Sequence, residues 1–152
     1  MVKNMITVLT SGAFDLLHYG HIRLLEEAKG LGGPGARLVV IVARDETVKR
    51  LKGRRPVIPE DQRRAVVEAL KVVDEALLGY KDLDMTAVID RVRPDIVAVG
   101  YDQHDIAEIA RRVIDEKGLN IKVTMLEKFG KSDLNSSSKI KRKIVEDLED
   151  AT

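Results

Sequence analysis

The sequence predicts an α/β fold built on a doubly wound parallel sheet of about five strands. Three observations predict it. Apolar residues come in short continuous runs rather than in alternation, the pattern of strands buried on both faces by covering helices. Between the runs, apolar residues recur at helical spacing, so strand and helix alternate along the chain. Finally, 152 residues with 44% apolar content allow one domain with a proper core and fall short of two, so 1–152 is expected to be a single domain.

The elements follow in order. The run 5–9 is the first strand, expected to end near Ser11. After His21, the residues Leu24, Leu25, Ala28 and Leu31 share one helical face. Gly30-Leu31-Gly32-Gly33-Pro34-Gly35 then ends that helix and turns into a second strand at 38–43. A second helical pattern over 62–70 places Ala65, Val66, Ala69 and Leu70 together, and a third strand follows at 72–78. Helix 86–92, strand 96–99, helix 106–114 and strand 121–126 continue the alternation, and the chain closes on a helix at 139–148. No internal repeat or low-complexity segment interrupts the pattern.

Composition excludes several classes of function. With 26 basic against 25 acidic residues the net charge is +1, so nothing draws the whole molecule to nucleic acid or membrane, and anion binding must be local. The absence of cysteine removes disulfides, thiolate metal sites and a cysteine nucleophile. Aromatic residues make up only 3%, which implies an aliphatic core. No apolar run is long enough to cross a bilayer and no signal-peptide pattern opens the chain, so a soluble cytoplasmic protein is expected. High charge of both signs without cysteine also fits a heat-adapted host.

In an open α/β sheet, ligands bind beyond the carboxyl ends of the strands. The segment Gly12-Ala13-Phe14-Asp15-Leu16-Leu17-His18-Tyr19-Gly20-His21 leaves the first strand there and enters the first helix. A helix N-terminus offers free backbone N–H groups and a positive dipole end, which attract phosphate. His18 and His21, three apart, project to one side and can donate to phosphate oxygens; Gly12 and Gly20 let a nucleotide approach the backbone. An isolated histidine is more often structural, and a pair at this spacing also suits a metal. A metal needs a third ligand, however, and His104 cannot be placed beside the pair from sequence. Phosphate binding is therefore the preferred reading.

The ten-residue segment resembles the G-T-F-D-x-x-H-x-G-H signature of the cytidylyltransferase-like nucleotidyltransferases, which use a Rossmann-like sheet. H-x-G-H alone is weak, since class I aminoacyl-tRNA synthetases carry a version of it. Further segments keep the family's order. Pro59-Glu60-Asp61-Gln62-Arg63-Arg64 resembles the segment after the substrate loop, Gly100-Tyr101-Asp102-Gln103 the nucleotide-side turn, and Asn135-Ser136-Ser137-Ser138-Lys139-Ile140 the closing I-S-[ST]-T-K-I motif. The resemblance implies that His18 and His21 are catalytic. It implies nucleotide contacts at Ala13, Phe14, Tyr19, Gly20, Asp102, Ser136, Ser137 and Ser138, and phosphate or acceptor contacts at Lys49, Lys52, Arg63 and Lys139. On residues alone, Asp102 also suits a helix cap, Ser136 an ordinary N-cap, and the basic run 49–56 a solvated surface loop, which in the family is a mobile loop near the acceptor phosphate.

The chain departs from the cytidylyltransferases at Ala13, where the signature has Thr, at Lys71-Val72-Val73-Asp74, where they have Arg-Tyr-Val-Asp, and at Lys131, where an Arg is expected. Lysine lacks arginine's bidentate fork. In contrast, Val42-Ala43-Arg44-Asp45-Glu46-Thr47-Val48, the stretch 52–59 and Gly100-x-Asp102-Gln103 are similar to the archaeal-type FAD synthetases. That resemblance implies transfer of AMP from ATP to FMN with a divalent cation, Mg²⁺, whose protein ligands are not identified, in a homodimer without nucleic acid or membrane partners. The alternative is a glycerol-3-phosphate cytidylyltransferase making CDP-glycerol from CTP. A non-catalytic nucleotide-binding module has no evident need for both the histidine signature and the serine–lysine motif, and a synthetase fragment would want a lysine-rich signature and an anticodon-binding region. Tyr101 and Phe129 are the aromatic candidates for stacking on a flavin.

Overall fold

A computed structural model describes residues 5–82, 84–128 and 136–152. Phe129, Lys131 and Asn135 lie outside the described residues. The order is β1 (Thr7–Gly12), α1 (Tyr19–Gly30), β2 (Arg37–Val42), α2 (Asp45–Lys52), α3 (Glu60–Glu68), β3 (Glu75–Leu78), α4 (Met85–Val92), β4 (Ile96–Val99), α5 (His104–Lys117), β5 (Lys122–Met125) and α6 (Ser137–Asp150). The five strands form one parallel sheet in the order β3-β2-β1-β4-β5, a Rossmann-like arrangement with β1 at its centre.

Continuous apolar strands explain the two cores. In β2, Leu38, Val40 and Val42 face one side with Leu25 and Ala28 of α1 and Val67 of α3. Val39 and Ile41 face the other with Met85, Val88 and Ile89 of α4 and Ala107, Ala110, Val113 and Ile114 of α5. The sheet is thus buried on both faces by helices.

Several boundaries differ from the expectation, for physical reasons. β1 starts at Thr7 and extends to Gly12, where Thr10, Ser11 and Gly12 pair with Val40, Ile41 and Val42. The strand outruns its apolar stretch by pairing with β2 through Gly12, while Thr10 and Ser11 line a cavity at its carboxyl end. β3 starts only at Glu75; before it, Val73 is buried in a turn whose Asp74 carboxylate accepts Leu38 N–H at 2.7 Å. In α3 the inward residues are Arg63 and Val67 rather than the expected face, with Ala65 and Val66 exposed. The basic run is not a loop throughout. Lys49 and Lys52 belong to α2, which Gly53 ends in the left-handed conformation at φ 82°.

The candidate active site

The strand order reverses between β1 and β4, and two cavities lie at the carboxyl end of the sheet around this point. They differ in chemistry. The first, about 730 Å³, has walls of Leu9, Ile41, Val97, Val99, Val88 and Ile109 with Thr47 and Leu51 of α2, and its rim carries Asp102, Gln103 and His104. The second, about 740 Å³, is bounded by Ala13, Phe14, Asp15 and His21 on one side. Lys52, Arg54 and Arg55 stand opposite, and Ser137, Ser138, Lys141 and Arg142 of α6 complete it. Lys52 lines both.

The loop from β1 to α1 is held by an unusual set of contacts. Phe14 and Leu16 take positive φ, 53° and 46°, a costly region for residues with side chains, so the surroundings must impose it. Gly12 permits this locally: a Cβ there would stand 3.0 Å from the buried Phe14 ring. Asp15, between the two strained residues, accepts Val57 N–H at 2.8 Å and Ile58 N–H at 2.9 Å through its two carboxylate oxygens. Its carbonyl accepts the Ser137 hydroxyl, and Lys141 Nζ lies 3.7 Å from its carboxylate. One aspartate therefore ties the signature loop to the segment after α2 and to α6. Asp15 belongs to the signature, but only the fold reveals this role.

Arg63 corrects an expectation. It is 1% exposed, and its guanidinium donates to Ile58 O at 2.8 Å, Ala13 O at 2.6 Å and Asp45 Oδ1 at 2.7 Å. The group faces inward and fastens the signature loop to α2 and α3, which is incompatible with reaching a phosphate in the open cavity.

At the start of α1, His18 is the N-cap residue and its N–H donates to His21 Nδ1 at 3.1 Å. Accepting at Nδ1 leaves the proton of neutral His21 on Nε2, so that edge of the ring is a donor. The two imidazoles stack with centroids 3.7 Å apart, and Phe14 packs on His21 at 5.4 Å. Burial lowers the His21 pKa to about 3, helped by the neighbouring His18 and Lys52 against the opposing pull of Asp15. Burial also lowers that of His18, whose Nδ1 is buried without a hydrogen-bond partner among the described residues. Both rings are therefore neutral at physiological pH. Neutral imidazoles donate to a polyanion without requiring a buried cation beforehand.

Sorting the expected residues by position separates them clearly. Ala13, Phe14, His21, Lys52, Ser137 and Ser138 gather around the basic cavity, while Asp102 lies at the rim of the apolar one. His18, Tyr19 and Gly20 open α1 behind His21. Ser136 caps α6, its hydroxyl accepting Lys139 N–H at 3.2 Å. Asp102 does not cap α5; Gln103 occupies that position and its side-chain oxygen accepts Gly100 N–H at 3.2 Å. Lys49 is exposed on α2 and Lys139 lies in the first turn of α6, neither on a cavity wall. Lys141 and Arg142 are basic residues of the site that motif reading missed, and Arg54 and Arg55 join them from the basic run. Among the described residues there is no cluster of three or more histidine or carboxylate groups placed to hold a metal, and no helix long and apolar enough to cross a membrane.

Residues 9–143 match the cytidylyltransferase-like family. A protein of Aciduliprofundum boonei described as FAD synthase is 47% identical over 146 residues, covering 96% of this chain and 95% of its own. The crystal structure of a protein from Thermoplasma volcanium, described as a lipopolysaccharide core biosynthesis protein, superimposes with a TM-score of 0.74 at 42% identity over 84% of this chain and all (100%) of that one. Pantoate-beta-alanine ligase from Francisella tularensis, complexed with beta-gamma ATP and beta-alanine, has a TM-score of 0.61 at 13% identity, covering 93% of this chain and 67% of its own, and shares the fold alone.

Proposed function

The chain belongs to the cytidylyltransferase-like family, and from that membership we propose that it is an FMN adenylyltransferase: it transfers AMP from ATP to FMN, giving FAD and pyrophosphate. The observation that carries this reading is the meeting of two unlike cavities at Lys52, one basic and bordered by His21, the other largely apolar. The basic cavity suits the triphosphate, and the apolar one suits the isoalloxazine ring and its ribityl chain. FMN brings its phosphate to the boundary between them. The glycerol phosphate acceptor of the cytidylyltransferase alternative has no large apolar group for the second cavity, and the FAD synthase relative favours flavin.

In this arrangement a 5′-phosphate oxygen of FMN attacks the α-phosphorus of ATP in line. The bond to the bridging oxygen breaks, and pyrophosphate leaves. The acceptor is already an anionic nucleophile, so the protein needs no covalent intermediate; it aligns two anions and stabilises the charge spread over the transferring phosphorus. His21 Nε2–H donates to that phosphoryl group, and His18, stacked on it, donates to the neighbouring phosphate. Lys52 contacts the transferring group from the acceptor side. Ser137, Ser138, Lys141 and Arg142 hold the departing pyrophosphate, with Arg54 and Arg55 closing the far wall. Ala13 and Phe14 contact the nucleotide through their backbone, and Asp102 binds its ribose or base. Tyr19, Gly20, Ser136, Lys49 and Lys139 complete the proposed set, with Lys49 and Lys139 adding positive charge nearby.

A divalent cation such as Mg²⁺ would be held by the phosphate oxygens of ATP, since the described residues offer no side-chain cluster for it, and would supply charge neutralisation at the leaving pyrophosphate. The protein acts in the cytoplasm as a single domain, and two copies associate. The test is pyrophosphate release with Mg²⁺, crossing ATP or CTP with FMN or glycerol 3-phosphate. Release with ATP and FMN alone, with FAD appearing, is expected. Release only with CTP and glycerol 3-phosphate would replace the acceptor and base while keeping the site.

A further inference from the structure

We propose that Thr47 selects the acceptor: its hydroxyl hydrogen-bonds a hydroxyl of the sugar-alcohol chain that joins the acceptor's ring to its phosphate. The proposal rests on the FMN reading above and names the group in the apolar cavity that recognises this substrate between its two ends.

A threonine inside a helix normally satisfies its hydroxyl on the carbonyl one turn back, here that of Ala43. Thr47 does not. It is 4% exposed, and its Oγ1 is buried with no hydrogen-bond partner among the described residues. The side chains that precede it at the start of α2 are all engaged. Arg44 donates through Nε to Gly79 O at 2.6 Å, and its guanidinium lies 3.7 Å from the Glu60 carboxylate. Asp45 accepts from Arg63 at 2.7 Å, and Glu46 pairs with Arg55. Of these four residues, Thr47 is the one whose donor and acceptor are unused.

Packing gives no reason for the hydroxyl. Thr47 and Leu51, four apart on one face of α2, line the apolar cavity with Leu9, Ile41, Val97 and Val99. Valine has the same branched shape and would fill that wall without burying an unsatisfied polar atom, which is costly. A ligand that completes the hydrogen bond explains the threonine. The apolar wall favours a neutral group, and a hydroxyl both donates and accepts, as Thr47 does. Position narrows the choice. Lys52 marks the boundary between the cavities, to which FMN brings its phosphate. Thr47 precedes Lys52 on the same helix by roughly 7 Å along the axis. The five-carbon chain of FMN covers a comparable length from its phosphate. The group beside Thr47 is therefore a hydroxyl of that chain, with the phosphate behind it and the ring beyond.

The test crosses two acceptors with the native chain, Thr47→Val and Thr47→Ser. One acceptor is FMN; the other is the same flavin monophosphate with hydrogens in place of the hydroxyls along its five-carbon chain. The native chain is expected to show a KM about tenfold or more higher for the dehydroxylated acceptor. Thr47→Val should raise the KM for FMN about tenfold, leave that for ATP within about twofold, and no longer distinguish the two acceptors. Thr47→Ser, which keeps a hydroxyl, should restore the distinction. Without substrates, Thr47→Val should melt at a higher temperature than the native chain, because the unpartnered hydroxyl is gone. Equal KM values of the native chain for the two acceptors, or a lower melting temperature of Thr47→Val, would overturn the role of Thr47 and leave FAD formation standing. A native chain that forms no FAD from FMN would overturn the functional reading and this proposal with it.

Discussion

His21 shows what a sequence reveals about a residue and what only its surroundings decide. The signature implies a place beside a phosphate; its proton position and neutrality come from His18 N–H, the stacked ring and burial. With the pKa lowered from 6.5 to about 3, the ring is already neutral across the physiological range. kcat/KM should therefore show no fall attributable to the histidines between about pH 7 and about pH 8.5. A decline with a midpoint near 6.5 would mean that the imidazolium is the working form. The same shift makes the folded state lose stability in acid, because the unfolded chain takes up the proton at 6.5 and the native ring only near 3. Urea midpoints should accordingly drop as pH falls through that window, and less so in His21→Asn. Arg63 teaches the opposite lesson. In a list of basic residues it passes for a phosphate ligand, yet its three hydrogen-bond acceptors lie on different segments and keep it inside. Arg63→Met should destabilise by roughly 3–5 kcal/mol, since Asp45 and two carbonyls lose their donor, as equilibrium denaturation will measure.

At the scale of elements, the five strands are legible because a strand covered on both faces carries a continuous apolar run, as β2 does from Leu38 to Val42. The signal fades where strands approach the site. At the Thr10-Ser11-Gly12 end of β1, Thr10 and Ser11 line the first cavity, and the apolar run stops at Leu9, so the end near Ser11 could be expected only from the polar residues that follow it. Helix α2 escapes for a related reason: Val48 and Leu51 are its only apolar residues, and its charges resemble those of a loop. Its end is set by Gly53 at φ 82°, where an added Cβ meets nothing within 4 Å. Gly53→Ala should therefore cost about 1–2 kcal/mol from backbone conformation alone. A change in the urea midpoint without a change in slope would show that cost; an unchanged midpoint would mean that α2 ends differently in solution.

For the whole molecule, the sheet order was foreseeable only in outline, while the cavities and their division of labour were not. They arise from segments far apart in sequence: Asp15 joins residues 57 and 58 to α6, and Lys52 stands between walls contributed by β1, β2, β4, α2, α5 and α6. If the apolar cavity holds the flavin, Ile109→Trp should fill part of it and raise the KM for FMN about tenfold or more, with the KM for ATP nearly unchanged. Equal increases for both substrates would contradict the division. The most direct test of the central claim, that a neutral histidine pair stabilises the transferring phosphoryl group, is FAD formation by His21→Asn at saturating ATP and FMN. The account predicts ATP affinity within about tenfold of the native chain and a kcat lower by about 10²–10³-fold. Near-native turnover would show that His21 is not part of the chemistry.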